Sequence, residues 1–306
     1  MGRRGRLMLP LWAWVTLAGA VAQTGRNAAQ SGLTARLGTL GATNTRFLFG
    51  LPFACLFLAL AVWATGETPP PLTGPAVAWA VTGALAQIAA TAMMLQVMRS
   101  QSFGLTTAWL KVEPVLVALA GWALLGDPLT WPMLAAIAVA VAGVLVLTLK
   151  PGTGRAMLTG TGPAAMGLAA GFTFGLAAIG FRGGITALPE GGFLIRALTM
   201  LVLSLAVQSL VLGLWLFFRD RPALAGSFRA WTPSLSAGFL GALASAFWFV
   251  AFSLTTAANV RTLALVEVVL ALAVARFAFG QRTTGRQMTG IAILLVGVVL
   301  LLRGAP

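Results

Sequence analysis

The feature that most constrains this chain is a set of long stretches without any charged side chain. Six of them reach the roughly 20 residues that a helix needs to cross a bilayer; they are residues 47–66, 68–98, 128–149, 156–181, 197–218 and 230–260. Residues 7–25 and 287–302 are uncharged over nearly the same length. Charged residues make up only 8% of the chain, whereas a soluble domain has about 25%. The sequence therefore predicts an integral membrane protein.

The uncharged stretches predict helices and not β-strands. They are apolar throughout and lack the residue-by-residue alternation of a strand in a membrane barrel. The chain also has 36 glycines, which suit close packing of membrane helices because small residues let backbones approach. With the two segments that contain Glu113 and Glu267, the count is ten transmembrane helices. The predicted fold class is all-α integral membrane.

Glu113 and Glu267 lie in two apolar segments that are copies of each other. The shift along the chain that places Glu113 on Glu267 also places Gly126 on Gly280. A charge in the middle of a bilayer costs roughly 2.5–3.5 kcal/mol on insertion scales. A costly group that recurs at the same place in both halves of the chain indicates an internal duplication.

The duplication divides the chain into two five-helix repeats, residues 8–150 and residues 160–304. Because five is odd, the chain leaves the first repeat on the side opposite to its entry, and the second repeat inserts upside down. Such inverted repeats are the usual plan of secondary transporters, whose solute site lies between them near mid-membrane. The expected helices are residues 9–30, 43–64, 76–98, 104–125, 131–149, 163–186, 193–218, 232–256, 261–279 and 286–303.

One group of residues resembles a known superfamily. Glu113 and Pro114 are followed by an apolar run that ends at Gly126 and Asp127, and the next predicted helix contains Gly143. In this order the residues resemble the drug/metabolite transporter superfamily, specifically its members with two EamA-type domains. Asp127 stands where that family usually has glutamate.

The resemblance covers nearly the whole chain. Arg46 resembles the family's arginine at the start of the second helix, whereas Val268 and Gln281 replace a proline and an acid in the second copy. The resemblance implies transport of a small solute. It implies no particular substrate, because the superfamily exports amino acids, metabolites and drugs.

Glu113 is the first candidate for a functional residue. An apolar bundle disfavours the charged form of a carboxyl group, which makes Glu113 a candidate proton carrier. Thr106 and Trp109 share its helical face by their spacing, so the three side chains predict a polar cavity. The alternative is structural: Glu113 hydrogen-bonds a neighbouring helix, and Pro114 kinks its own helix.

Glu267 is the counterpart of Glu113 in the second repeat, and we expect it on the same solute or proton pathway. Lys111 precedes Glu113 by two residues, so the two side chains point to different faces of their helix. Leu265 stands at the matching position of the second repeat, which leaves Lys111 without a counterpart. Two interpretations are open: Lys111 binds an anionic solute, or it pairs with Glu267 across the interface between the repeats.

Three further residues complete the predicted pathway, namely Arg26, Arg46 and Gln87. The two arginines lie near predicted helix ends, where a long basic side chain ordinarily extends to the lipid headgroups. Gating or contact with a carboxylate is the alternative role. Gln87 adds an uncharged polar group in the third helix, which serves either a solute or helix packing.

The composition argues against an enzyme. The chain has no histidine and a single cysteine, Cys55, so it lacks the usual side chains for base catalysis and for a metal site. We expect no metal and no cofactor. The formal net charge is +14, but the arginines are scattered over the loops and form no single basic face, so we expect no nucleic-acid partner.

These features predict a secondary transporter of the inner membrane that exports a small metabolite or an amino acid by alternating access. Coupling to protons and exchange without an ion are both open. Efflux of drugs or toxic compounds is a second interpretation, and a channel or lipid scramblase is a third. The expected partners are a small solute and membrane lipid, with the protein acting as a monomer or homodimer.

Overall fold

The computed structural model describes residues 9–100, 110–149, 161–279 and 283–304. In these ranges the protein is helical and contains no β-strand. Seven helices there are long and apolar enough to cross a membrane, namely Leu40–Thr65, Gly74–Met94, Trp131–Thr148, Ala165–Thr186, Phe193–Arg219, Trp231–Leu254 and Gly285–Gly304. The described part of the chain is therefore an all-α, multi-pass membrane protein that contains seven of the ten expected spans.

The order of the helices follows the predicted order. The described helices are α1 (Leu11–Leu48), α2 (Gly50–Thr65), α3 (Gly74–Ser100), α4 (Glu113–Leu125), α5 (Trp131–Thr148), α6 (Thr161–Thr186), α7 (Phe193–Arg219), α8 (Arg221–Arg229), α9 (Trp231–Leu254), α10 (Ala257–Leu263), α11 (Glu267–Phe279) and α12 (Gly285–Gly304). A short 3-10 helix, Ala264–Val266, joins α10 to α11.

The structure differs from the sequence-based helix bounds in five places. The predicted span 43–64 is interrupted at Phe49, between α1 and α2, and within the predicted span 104–125 a turn at Lys111 and Val112 precedes α4. The chain is helical from Leu11 to Leu48 except at Gly38, whose φ of 68° interrupts the helix where a longer loop was expected. Glycine adopts this φ without steric cost. The expected span 261–279 is divided into α10, the 3-10 helix and α11. The helix α8 was not predicted; the side chain of Asp220 begins it by accepting a hydrogen bond from the backbone N–H of Ala223 at 3.1 Å.

Helix ends follow local turn chemistry. Gly126 ends α4 with a φ of 67°, a conformation that favours glycine. Thr130 precedes α5, and its hydroxyl oxygen accepts a hydrogen bond from the backbone N–H of Met133 at 3.4 Å. The predicted break between the fourth and fifth helices is therefore confirmed, and it fixes where the chain turns next to Asp127.

Glycines allow the closest contacts between the two halves of the chain. The helix α5 packs along α12, α3 along α6, and α1 along α9. A Cβ atom added to Gly143 on α5 would overlap the backbone of Leu294 on α12, and one added to Gly297 on α12 would overlap the backbone of Ala140 on α5. The contact is reciprocal, because one shift along the chain carries Gly143 onto Gly297 and Ala140 onto Leu294.

The outer surface of the bundle is apolar. Trp63, Trp131 and Phe277 each expose 84% of their area, and many leucines and valines of α2, α7 and α12 are also exposed. In water such a surface would be an aggregation liability, whereas hydrocarbon solvates it. Polar and charged groups are correspondingly drawn to the interior, where the candidate site lies.

Candidate functional site

The two copied glutamates occupy equivalent positions in the structure. Glu113 is the first residue of α4 and follows a turn at Lys111 and Val112. Glu267 is the first residue of α11 and follows the 3-10 helix Ala264–Val266. Both helices have 13 residues. Each carboxylate thus stands at the N-terminus of a helix, where backbone N–H groups and the helix dipole stabilise a negative charge.

Glu113 is bound by an arginine from the other half of the chain. The Nε and Nη2 atoms of Arg261 on α10 each donate a hydrogen bond of 2.7 Å to the two oxygens of the Glu113 carboxylate. The glutamate is only 7% exposed. Two parallel hydrogen bonds of this kind are a strong and directional form of ion pair. Glu113 is therefore held as one half of a buried bridge between α4 and α10.

Glu267 is bound by a lysine and a glutamine from the first half. The Lys111 Nζ atom donates to Oε1 of Glu267 at 2.5 Å, and the Gln23 Nε2 atom donates to Oε2 at 2.7 Å. The Nε1–H of Trp248 in turn donates to the Gln23 Oε1 atom at 3.0 Å. The sequence left two interpretations of Lys111, and in this structure Lys111 forms the ion pair with Glu267 across the interface between the two halves.

A cavity with an empty volume of about 600 Å³, part of it open to solvent, lies beside these pairs. Its wall combines polar and aromatic side chains from both halves: Gln23, Arg26, Gln87, Phe174, Ala177, Ala178, Phe181, Leu201, Ser204, Leu205, Gln208, Ser245, Trp248, Phe249, Phe252 and Arg261.

The polar side of the cavity carries positive charge and amide groups. Arg26 and Arg261 both line it, and Arg26 is close enough to interact electrostatically with Arg261 and with Glu267. Gln208 on α7 donates a hydrogen bond of 2.6 Å to the side-chain oxygen of Gln87 on α3. Gln87, predicted from the sequence as a pathway residue, therefore lies on the cavity wall in contact with the other half of the chain.

Arg46 is placed differently from the other predicted residues. Its aliphatic stem packs where a Cβ atom on Gly241 of α9 would lie, and its guanidinium lies over the ring of Phe47 at 4.4 Å from the centroid. It is within electrostatic range of Arg26 but does not line the cavity. Thr106 and Trp109 fall outside the described residues, so the shared face expected for them and Glu113 stays a prediction.

A third ion pair lies where α4, α6 and α9 end. Nη2 of Arg182 donates to the Asp127 carboxylate at 2.9 Å, and Nε donates to the same carboxylate at 3.1 Å. The Nη1 atom donates to the backbone carbonyls of Phe252 and Thr255, at 2.8 and 2.5 Å. We call these four residues the closing cluster. Arg182 and Phe252 are thereby fixed next to the cavity wall, which includes the neighbouring Phe181 and the Phe252 side chain.

The sequence did not single out Arg261 or Arg182, because Arg261 lies at the start of one predicted helix and Arg182 near the end of another. One signal was present: six positions separate Arg261 from Glu267, too few for it to leave the apolar segment. Their partners Glu113 and Asp127 are far away in the sequence, so no spacing rule connects them.

Ion pairs beside a partly polar cavity, inside a helical bundle with an apolar exterior, are typical of a multi-pass membrane protein. The sequence profile of the EamA-like transporter family matches residues 10–149 and again residues 162–303. The chain therefore belongs to the EamA-like transporter family, in agreement with the resemblance found in the sequence.

The fold is shared with a solved crystal structure of a protein that is 15% identical in sequence. The similarity covers 94% of this chain and 95% of the other, with a TM-score of 0.68. At that identity the similarity shows a common fold. No curated protein sequence matches the chain.

Proposed function

We propose that the protein is a secondary transporter that moves a small organic solute by alternating access through the central cavity. The observation that carries the proposal is the pairing of Glu113 with Arg261 and of Lys111 with Glu267, since each pair joins the two halves beside the cavity. Interrupted helices whose N-termini and charged groups meet at a site between repeats are a recurring device of secondary transporters.

We further propose ten spans, arranged as inverted repeats of residues 8–150 and 160–304. The helix contacts support this arrangement, because exchanging the halves maps them onto one another. The contact of α3 with α6 corresponds to that of α1 with α9, and the contact of α5 with α12 corresponds to itself. A second correspondence is that α4 begins at Glu113 and α11 begins at Glu267, the residue that matches Glu113 in the second half.

The closing cluster is the proposed gate at one end of the cavity. Arg182 belongs to the second half of the chain and Asp127 to the first, so the pair must separate if the halves move apart at this end. A shift of 156 positions, which places Gly19 on Gly175, also places Arg26 of the cavity wall on Arg182. The shift of 154 positions that aligns the two glutamates places Asp127 on Gln281, which carries no charge. The two ends of the path therefore have different gating chemistry.

The proposal also includes the direction of transport, the location in the inner membrane and the possible coupling to protons. The protein exports a small metabolite across the inner membrane as a carrier and not as an enzyme, surrounded by lipid and acting as a monomer or homodimer. Proton coupling through Glu113 or Glu267 requires the corresponding ion pair to open during the cycle. The aromatic side of the cavity favours a second candidate function, efflux of hydrophobic drugs.

Reconstitution into proteoliposomes tests the proposal. We expect saturable entry of a labelled solute that is accelerated by unlabelled solute on the opposite side, with labelled 3-phenylpropionate, phenylalanine and ethidium as probes for an organic acid, an amino acid and a cationic drug. Arg303→Gln, at an exposed position at the end of α12, is the control variant. A current that rises in proportion to voltage and does not saturate would point to a channel instead.

A further inference from the structure

We infer that the cavity selects small carboxylates with an aromatic or apolar body, in preference to zwitterionic amino acids and to cations. The inference rests on the proposed transport function and names the chemical class of its substrate. It follows from the location of every carboxylate of the chain, from one buried hydroxyl group and from the shape of the apolar wall.

All carboxylates of the chain can be located, because its six acidic residues fall within the described ranges. Three of them are paired with Arg261, Lys111 and Arg182, as described above. The other three lie elsewhere: Glu67 accepts a hydrogen bond from the backbone of Gly192, Asp220 caps α8, and Glu190 is exposed in the loop before α7.

None of these six carboxylates lines the cavity, whereas two arginines do. Glu113 and Glu267 stand behind the wall, and their oxygens are occupied by Arg261, Lys111 and Gln23. The charged groups that a solute in the cavity contacts are therefore Arg26 and Arg261. The two glutamates behind the wall compensate part of this charge, but together with Lys111 the group keeps one net positive charge, which attracts a carboxylate and repels a cation.

An amino acid fits less well than a simple carboxylate. Its ammonium group needs acidic or carbonyl acceptors when it leaves water, because an unpaired buried charge is unfavourable. Among the described wall residues, the side-chain acceptors are the amides of Gln23, Gln87 and Gln208 and two serine hydroxyls, and the Gln87 and Gln208 amides already bind each other. The wall therefore binds an anionic group of the solute more favourably than an ammonium group.

Ser204 supplies an independent indication of a polar ligand. Its side chain is only 1% exposed, it lines the cavity, and among the described residues its hydroxyl has no hydrogen-bond partner. Buried hydroxyl groups nearly always have a partner, and an exception calls for an explanation. A carboxylate oxygen that accepts a hydrogen bond from Ser204 would supply the missing partner.

The apolar part of the wall fits a ring. Phe174, Phe181, Phe249 and Phe252 line the cavity, and the rings of Phe181 and Phe249 lie with centroids 4.7 Å apart. Trp248 lies beside Arg261, whose guanidinium carbon is 5.8 Å from the ring centroid. An aromatic body packs against such faces at the usual stacking distances, while its carboxylate reaches the arginine side.

Four probes that share a phenyl ring and a three-carbon chain test the inference. Calorimetric titration of the purified protein compares 3-phenylpropionate with its neutral amide, with 3-phenylpropylamine and with phenylalanine. We expect the carboxylate to bind about tenfold or more tightly than each of the others, as hydrogen bonds to a charged group imply. Equal or tighter binding of the amine or of phenylalanine overturns the inference.

Two variants and one control separate the anion site from general loss of structure. Arg26→Gln should weaken binding of the carboxylate and leave binding of the amide almost unchanged, and Ser204→Ala should weaken the carboxylate by a smaller factor. Arg303→Gln should change neither. If Arg26→Gln weakens binding of the carboxylate and of the amide by the same factor, Arg26 does not distinguish a charged from an uncharged solute, and the inference fails.

The same probes distinguish this inference from the proposed function. Tight carboxylate binding without saturable flux in proteoliposomes would contradict the proposed transport function but would still support a carboxylate-binding site. Saturable flux of 3-phenylpropylamine or ethidium, without flux of 3-phenylpropionate, would support transport and overturn the anion site.

Discussion

Glu113 and Arg261 are joined by two hydrogen bonds although they lie 148 positions apart in the chain. The pair connects α4 to α10 and places a buried carboxylate beside a guanidinium that is partly exposed to the cavity. Each charge alone would be unfavourable in an apolar bundle, because removal from water costs several kcal/mol per ion. The two halves of the chain are thus tied together by groups that neither half could bury by itself.

The first prediction concerns the strength of this tie. Arg261→Gln leaves the buried Glu113 carboxylate unpaired, and we expect it to destabilise the protein by about 3–5 kcal/mol. Glu113→Gln should cost less, because Arg261 is partly exposed and also interacts with Glu267. The double variant should be less destabilised than the sum of the two single variants. Thermal unfolding in detergent measures the difference, and strictly additive effects would show that the two residues do not depend on each other.

A second prediction addresses proton coupling at the same residue. If Glu113 carries a proton, transport by the wild-type protein depends on pH, and Glu113→Gln removes that dependence along with any coupled uphill flux. Flux in proteoliposomes is measured over a pH series with and without a proton gradient. Unchanged transport and pH dependence in Glu113→Gln would exclude Glu113 as the proton carrier, and Glu267→Gln then becomes the next variant to measure.

The third prediction ranks the two residues of the proposed gate. Arg182 binds the Asp127 carboxylate and two backbone carbonyls, whereas Asp127 binds only Arg182 among the described side chains. Arg182→Gln should therefore open this end more than Asp127→Asn does. A cysteine at Ala178, on the cavity wall, is introduced into a Cys55→Ser background, and its labelling by a membrane-impermeant reagent reports opening.

For this gate test we expect labelling from the closing-cluster side to accelerate about tenfold in Arg182→Gln, which corresponds to about 1.4 kcal/mol. Labelling from the opposite side should not accelerate, and Arg303→Gln should label like the parent protein. If Arg182→Gln and the parent protein label at equal rates from both sides, the closing cluster does not act as a gate.

The fourth prediction tests the contact between α5 and α12. Gly143→Ala and Gly297→Ala each force a methyl group into the backbone of the other helix, and we expect a loss of about 1–3 kcal/mol in stability for each. Gly213→Ala on α7 is the matched control, because nothing lies within 4 Å of its added Cβ atom. Alanine there should be neutral or slightly stabilising, as its higher helix propensity implies.

Thermal unfolding of these three glycine variants supplies the measurement. Equal stability of Gly143→Ala and Gly213→Ala would mean that α5 and α12 are not in backbone contact. A loss at Gly143 without a loss at Gly297 would contradict the reciprocal geometry that the internal duplication implies.

The class of the protein and its family could both be predicted without the structure. Charge-free stretches of membrane length leave few alternatives to membrane helices, because charges are costly in hydrocarbon and their absence can be read from the chain directly. The copy of the Glu113 segment at Glu267 predicted equivalent positions for the two residues, but it placed both inside longer helices, whereas in the structure each residue begins a helix. These properties are local or repeat along the chain.

Which charges meet depends on how the helices pack. Arg261 pairs with Glu113, Lys111 with Glu267, and Arg182 with Asp127, in each case across the two halves. The sequence left two interpretations of Lys111 and indicated no partner for Arg261 or Arg182, because side chains in different halves approach each other only when the helices pack. Residues near in sequence obey helix periodicity, whereas the pairs that surround the cavity are set by helix packing.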